Sequence, residues 1–479
     1  MNKLLNRQNF PGPAYPEKVL QFGEGNFLRA FIDWIIDNLN EKTDFNSGIT
    51  IIRPIDTHQP TLNGQDGLYT TVIRGINEQG VAVAEPKIIY SVNREISVYQ
   101  EFNEYLKCAE NPDLEFIFSN TTEAGITFSD QDKLSATPPA TFPAKLTVLL
   151  YHRFKHFNGQ KEKGLIIIPC ELIDYNGEKL KEYVIKYAEL WRLDADFVSW
   201  LNDANTFCST LVDRIVTGYP KDEAAKLEQE LGYQDKFLDT AEYFYLFVIQ
   251  GPNWIKDKLK LNEVNMNILV ADDIKPYKER KVGILNGAHT AMVPVAYLAG
   301  IRTVGEAMAN AKVENFIKNL LNKEVIPTLS LDKDELNQFA SDVLNRFKNP
   351  FIKHELIAIS LNSLTKFKTR LLPQLVTYSQ KFNQPPKYIA FALSALIAFY
   401  HGEYQGNKIP LTDDKHLLDR FEAWQYLYKR DVKQLVSNVL GMADHWEQDL
   451  NAIPELTDLV TKNLQAILAN DIESVIPQD

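Results

Sequence analysis

The sequence predicts an α/β domain with a parallel, doubly wound sheet, followed by a mostly helical domain. Three observations predict it. Through the first half of the 479 residues, short continuous apolar runs alternate with helical segments, the pattern of buried parallel strands joined by crossover helices. One of these runs ends in a Gly-x-Gly turn that opens a helix, where a dinucleotide-binding fold carries its glycines. From about residue 275 nearly every segment has helical periodicity. A chain of this length exceeds one ordinary core. The expected domains are 1–274, Rossmann-like, and 275–479, helical and carrying the substrate, with the change of texture at Asp272–Tyr277.

Taken in order, KVLQFGEG (Lys18–Gly25) is the first strand and its turn, and NFLRAFIDWIIDNLN (Asn26–Asn40) is the helix that follows. GITIIRPI (Gly48–Ile55) is the second strand. LYTTVIRG and VAVAEPKIIYSV flank INEQG as a hairpin excursion. EFIFSNT (Glu115–Thr121) and LIIIPCEL (Leu165–Leu172) are further buried strands. In the second half, helices are expected over Glu306–Leu321, Lys333–Phe347, Tyr388–Tyr400, Lys415–Tyr428 and Leu456–Leu468. Breaks are expected at Pro327, Pro350, Pro373, Pro385–Pro386, Pro410 and Pro454. There is no internal repeat or low-complexity tract.

Composition narrows the function classes. Hydrophobic residues are 45% and charged residues 24%, ordinary for a soluble globular protein. A formal net charge of −12 disfavours nucleic acid and anionic membranes as partners, and an anionic substrate would need a locally basic pocket. The most apolar segment, Tyr388–Tyr400, falls short of the ~20 residues of a membrane span and reads as a buried helix. No stretch has the layout of a secretory signal. Cys108, Cys170 and Cys208 are far apart and odd in number, which suits a reducing cytoplasm. No CxxC or HExxH spacing occurs, and His152 and His156 in YHRFKH read as a solvated basic helix face, so no metal is expected.

Gly23 and Gly25 follow a strand directly, so backbone N–H groups could meet a pyrophosphate at the helix N-terminus. Leu28 stands where the third fingerprint glycine belongs. At the end of the second strand Arg53 and Asp56 compete, Asp56 favouring NAD and Arg53 a 2′-phosphate. SNTTEAG (Ser119–Gly125) would emerge at the carboxyl edge of the sheet, as a ligand loop or a capped turn. FCSTLVDRIVTG places Asp213 and Arg214 inside an apolar run, where a structural ion pair is as good a reading as a functional one.

KERKVGILNGAHTAM (Lys278–Met292) raises the sharpest question. Gly283 and Gly287 each weaken a helix by about 1 kcal/mol relative to alanine, which suggests close packing or room for a ligand. At 100° per residue, Lys281 lies at 0°, His289 near ~80° and Asn286 near ~140°. That face could serve ketone reduction without a metal, the lysine ammonium giving a proton and an amide steadying the alkoxide. It equally suits an exposed lysine, a capping asparagine and a satisfied histidine.

GEGNFLRAF near the start, VDRI in the middle and K-x4-N-x2-H in KVGILNGAH occur in that order. Together they resemble the polyol-specific long-chain dehydrogenases, the mannitol dehydrogenase family, over essentially the whole chain. QFGEGNFLRAF, RPIDT, SNTTEAGI, PCELIDYNG and DDIKPYKERK are similar to the branch that interconverts a keto-hexonate and a hexonate in hexuronate catabolism. The resemblance implies a metal-independent, NAD-dependent oxidoreductase of a small molecule, monomeric or weakly associating, with catalysis between its domains.

It also implies roles. Lys281 would be the general acid and base, Asn286 would hold the oxyanion, His289 would orient the substrate and Asp213 would join the polar network. Lys278, Arg280 and Lys366 would face the substrate. Phe22, Gly23, Gly25, Asn26, Phe27, Asp56, Asn120, Thr121 and Glu123 would face the cofactor. Four departures stand out. Leu172 replaces a second oxyanion asparagine, Ala358 replaces a substrate-binding arginine eight residues before Lys366, and Lys278 replaces a glutamate. VDRI continues into Val216–Thr217–Gly218 rather than Thr-Pro. These put mannitol itself in doubt, and added positive charge near Lys281 fits a carboxylate. The rival readings are a fructuronate or neutral-polyol enzyme of the same family, or a non-catalytic nucleotide-binding regulator.

Overall fold

Six parallel strands build the central sheet of the first half: β1 Glu17–Phe22, β2 Gly48–Arg53, β3 Val92–Ser97, β4 Phe116–Ser119, β5 Ile166–Pro169 and β6 Thr206–Phe207. The computed structural model describes residues 3–122 and 125–478. The chain divides into two units, Met1–Asn77 with Val83–Ile274, and Glu78–Ala82 with Lys275–Asp479. The sheet order is β3-β2-β1-β4-β5-β6, so the direction of winding reverses between β1 and β4, where an open α/β sheet binds its ligand.

The continuous apolar runs are explained by burial on both faces. Along β4, Phe116 and Phe118 enter one core with Ile35, Ile36 and Leu39 of helix Trp34–Lys42. Ile117 between them enters the other core. There it meets Leu146, Leu149 and Leu150 of helix Phe142–His156 and Leu180 and Val184 of helix Asn176–Leu190. The strand period of two thus feeds two layers of helix. Cys170 and Cys208 lie in the first core and Cys108 in the second, all three reduced and buried. Burial pushes the Cys108 and Cys208 thiols up to about 12.

The hairpin forms as expected, Tyr69–Ile76 beside Ala82–Ile89, in a separate sheet with Val216–Gly218 and Asp239–Glu242. β3 escapes a reading by apolar pattern because it carries charge. Its Arg94 pairs with Glu17 at 2.8 Å, and Glu95 accepts the Leu62 N–H at 3.1 Å.

The second unit is helical throughout, apart from a short hairpin at Glu403–Tyr404 and Asn407–Lys408 among the described residues. Helix Lys387–Phe399 is buried from Tyr388 to Phe399 and packs against helices Gly287–Leu298 and Leu456–Ala469. Its first N–H groups, on Tyr388 and Ile389, are both taken at 2.8 Å by Glu324, whose carboxyl burial raises to about 7. The stretch expected as one helix over Glu306–Leu321 is instead broken at Asn310. That side chain accepts the N–H groups of Lys312 and Val313 and starts a new helix, the usual N-cap chemistry. Pro373 starts helix Leu372–Phe382 rather than breaking one. Among the described residues, no helix is long and apolar enough to cross a membrane.

YHRFKH is only partly the solvated face expected of it. His152 pairs with Glu110 at 2.9 Å, but Arg153 is 1% exposed. It donates to the carbonyls of Lys163, Ala109, Asn111 and Leu114 at 2.7–3.1 Å. This one guanidinium ties helix Phe142–His156 to the segments that enter β4 and β5. Hydrogen bonds from charged donors contribute about 1.5–3 kcal/mol, so Arg153→Met should lower unfolding free energy by at least ~3 kcal/mol, read from urea denaturation. A change below ~1 kcal/mol would show that the four carbonyls are equally well served by water.

Candidate active site

At the carboxyl end of β1, Gly23 turns the chain with φ of +119°. A Cβ there would stand 2.8 Å from the Asn120 carbonyl oxygen and 3.3 Å from Leu28 Cδ1. Leu28, in place of a third glycine, is what packs over the turn. Gly25 is exposed, and a Cβ on it would meet nothing within 4 Å. It precedes an unbroken helical run from Asn26 to Lys42 that includes a π segment at Arg29–Asp33. Open space over a helix N-terminus is the setting in which N–H groups accept a phosphate.

The other expected cofactor residues separate into two kinds. The ring of Phe22, expected at the cofactor, is wholly buried against Tyr105 and Phe142, and its carbonyl is taken by the Asn120 N–H at 3.0 Å, joining β1 to the loop after β4. Asn26 is exposed, accepts from Arg29, and lies so close to Gly218 that a Cβ on that glycine would sit 2.4 Å from Asn26 Nδ2. Gly218, with φ of +76°, is therefore required at that position. Phe27 is half-buried and stacks on Phe31 at 5.0 Å.

The loop after β4 is braced by a residue the sequence did not single out. Glu171, 2% exposed, accepts from Ser119 Oγ at 3.1 Å and from both the N–H and the hydroxyl of Thr121 at 3.0 Å. Burial holds its carboxyl above the usual range. Asn120 donates to the Cys170 carbonyl at 3.1 Å. Glu123 lies outside the described residues. Beyond β2, Arg53 is buried and paired with Glu24 at 3.8 Å, while Asp56 is exposed. Of the two competitors, Asp56 is the accessible one.

Under the glycine turn lies a buried charged cluster. Arg29 donates to the Phe237 carbonyl at 2.6 Å, sits over the Tyr69 ring and is 3.9 Å from Asp239. Tyr69 donates to Asp33 at 2.9 Å. Burial raises the carboxyls of Asp33 and Asp239 to about 7. Asp213 is buried at the end of strand Ser209–Asp213. Its neighbour Arg214 donates to the carbonyls of Ala30 and Glu242 and lies over the Trp34 ring.

In the second unit the segment from Lys275 to Leu298 is one helical run, but not a uniform α-helix. Helix Lys275–Arg280 passes through a π segment, Lys281–Asn286, into helix Gly287–Leu298. A π turn takes up one extra residue. Seen down the axis, Asn286 then falls near ~40° and His289 near ~−20° from Lys281, an arc of about 60° instead of ~140°. The three side chains share a much narrower face than regular α-geometry implies. Both glycines serve close packing: a Cβ at Gly283 would be 3.1 Å from Gln374 Nε2, and one at Gly287 3.1 Å from Leu371 Cδ2.

Lys281, Asn286 and Lys278 are half-buried. His289 packs on Phe347 with ring centroids 4.3 Å apart and on His354 at 5.3 Å, and its Nε2 is enclosed without a hydrogen-bond partner. Burial first, then coupling to the neighbouring His354, and then the cations Arg346, Arg370 and Lys366 hold the His289 pKa well below the ordinary value, so the ring is neutral. Arg280, expected to face the substrate, is 3% exposed, paired with Glu335 and stacked over Phe339. Lys366 is half-buried and donates to the Ile359 carbonyl at 2.7 Å. Among the described residues, no group of three or more His, Cys, Asp or Glu side chains is placed to hold a metal ion.

Known proteins resemble the chain over its full length. The mannitol dehydrogenase Rossmann domain matches residues 17–263, and the mannitol dehydrogenase C-terminal domain matches residues 273–468. An altronate oxidoreductase of Yersinia pestis bv. Antiqua (strain Nepal516) is 57% identical over 476 residues, covering 98% of this chain and 99% of the relative. One of Enterobacter sp. (strain 638) is 57% identical over 478 residues, covering 99% of each. Among solved structures, substrate-free D-sorbitol dehydrogenase has a TM-score of 0.80 at 20% identity, with 99% of this chain and 100% of that one covered. Mannitol 2-dehydrogenase of Pseudomonas fluorescens, in ternary complex with NAD and D-mannitol, has a TM-score of 0.64 at 19% identity, with 98% of each chain covered. These two show the fold.

The buried cluster sets a pH dependence. Asp33 has a folded pKa of about 7, above the ~3.9 of an unfolded aspartate. The folded state therefore keeps a proton that the unfolded state has lost, and stability falls as pH rises from about 4 to 7. Asp33→Asn should flatten the slope of unfolding free energy between pH 5 and 7 by up to ~1.4 kcal/mol per pH unit. Parallel slopes for variant and wild type would show that Asp33 does not titrate in that range.

Proposed function

The chain belongs to the mannitol dehydrogenase family, and from that membership we propose that it reduces D-tagaturonate to D-altronate, reversibly, as a tagaturonate reductase of hexuronate catabolism. It is an oxidoreductase acting on CH–OH groups, with NAD as cofactor. The substrate reading draws on the altronate oxidoreductases that are 57% identical over nearly the whole chain. The chemical reading rests on one observation: the π turn that gathers Lys281, Asn286 and His289 onto one face.

The first unit fits the cofactor. Gly23 admits no Cβ, Gly25 leaves open space at the helix N-terminus, and these together would hold a pyrophosphate. Asp56 would accept the ribose hydroxyls, since Arg53 is buried and a 2′-phosphate would find no accessible guanidinium there. Asn26, Phe27, Asn120 and Thr121 would line the same edge. Bound NAD supplies or receives the hydride.

The second unit would manage the proton and the charge. In ketone reduction Lys281 gives its proton to the carbonyl oxygen, and in alcohol oxidation it takes the hydroxyl proton. The Asn286 amide donates to the oxygen as negative charge develops there. A neutral His289 orients the substrate by hydrogen bonding, and Lys278 and Lys366 face the anionic end. Asp213 belongs to the surrounding polar network. Leu172, 63% exposed, offers no amide in place of the family's second oxyanion asparagine.

NADH oxidation with tagaturonate, fructuronate and fructose separates the branches. Tagaturonate should give the highest kcat/KM, and a preference for fructose would overturn the reading. NADH binding without turnover of any of the three would favour a regulator. Lys281→Ala should lower kcat in both directions by at least ~10²-fold while NADH still binds. Near-normal turnover by that variant would remove the lysine from the mechanism.

A further inference from the structure

Helix Ser363–Arg370 carries two cations one turn apart, Lys366 and Arg370, both half-buried. Like charges at i and i+4 repel and destabilise a helix, so the pair needs a compensating anion. Lys366 has one nearby, because Asp413 acts on it electrostatically, and it also donates a hydrogen bond to the Ile359 carbonyl at 2.7 Å. Arg370 does not. Its sole hydrogen bond among the described residues is a long one, Nη1 to Thr290 Oγ1 at 3.4 Å, and it makes no ion pair there. A guanidinium has five N–H donors in a rigid fork, and most of this one's are unused.

Thr290 connects Arg370 to the site. It is buried, and its hydroxyl donates to the Asn286 carbonyl at 2.9 Å. The guanidinium thus rests on the helix one turn beyond Asn286 and near His289, whose enclosed Nε2 has no partner. Gly287 is what allows this approach, since a Cβ on it would lie 3.5 Å from the Arg370 carbonyl and 3.1 Å from Leu371. Burial also lowers the Arg370 pKa, and the field of this cation reaches both Lys366 and His289.

We infer that Arg370 is the residue that selects an acid over a neutral polyol, its guanidinium forking onto the carboxylate of the hexonate beside His289. This rests on the substrate reading above. It gives the terminal carboxylate a bidentate partner and leaves Lys366 and Lys278 as single-point cations around it.

The test is Arg370→Met and Arg370→Lys, assayed with altronate and NAD and with tagaturonate and NADH, alongside the dissociation constant of NADH from fluorescence. A charged hydrogen-bond pair is worth about 10- to 100-fold in binding, so Arg370→Met should raise KM for both acids by that factor, with kcat falling far less. Arg370→Lys, which keeps the charge but not the fork, should recover part of the loss and serves if the methionine variant does not fold. KM within twofold of wild type in both variants would overturn the inference. So would a rise confined to the NADH dissociation constant, because the arginine would then serve the cofactor's phosphates. If wild type fails with both acids but turns over another hexuronate, and its KM rises in Arg370→Met, the carboxylate anchor stands and only the named substrate falls.

Discussion

The carbonyl of Asn120 and the side chain of Leu28 close on residue 23 from two sides, so that only a hydrogen atom fits there. This constraint fixes much of the first unit. Gly23 leaves the strand with positive φ, and the helical run begins three residues on, at Asn26. Because the Asn120 N–H is bound to the Phe22 carbonyl, the loops after β1 and β4 leave the sheet as a joined pair. Glu171 then fastens the second loop from below. The edge that would meet a cofactor is thus set by backbone groups and a buried carboxylate, and the exposed side chains are added onto a frame already fixed.

The fold was largely legible in the sequence, for a physical reason. Strands buried on both faces need unbroken apolar runs, and GITIIR, FIFS and IIIP have them. β3 was hidden because its charges, Arg94 and Glu95, are satisfied by partners far away in sequence, Glu17 and Leu62. The split at Asn310 was hidden because the helical period continues across it, and only the cap chemistry marks the break.

The candidate site was legible in its residue types and less so in their geometry. Lys281, Asn286 and His289 stand out by spacing, but no propensity announces a π turn, so their relative directions were misjudged. Arg280 and Phe22 look available in sequence and are engaged internally, one with Glu335 and the other in the core. Glu171 and Arg370 left no local signal. A glutamate after a strand and an arginine at a helix end are both ordinary, and their significance comes from what the fold brings to them. His289 is the clearest case of context setting chemistry. Burial and surrounding cations keep the ring neutral, which leaves it able to accept as well as donate a hydrogen bond.

The π segment at Lys281–Asn286 has a consequence for how this helix can change over evolution. It amounts to a single inserted residue, and the helix on its two sides keeps two independent phases. Losing one residue from Val282–Leu285 would restore a regular α-helix, leave the phase of Gly287–Leu298 unchanged, and swing Lys281 by roughly 100° about the axis relative to it. The lysine would survive in the sequence while pointing elsewhere. The candidate face is therefore encoded in the length of the segment as much as in its residues, and a substitution scan alone would never reveal it.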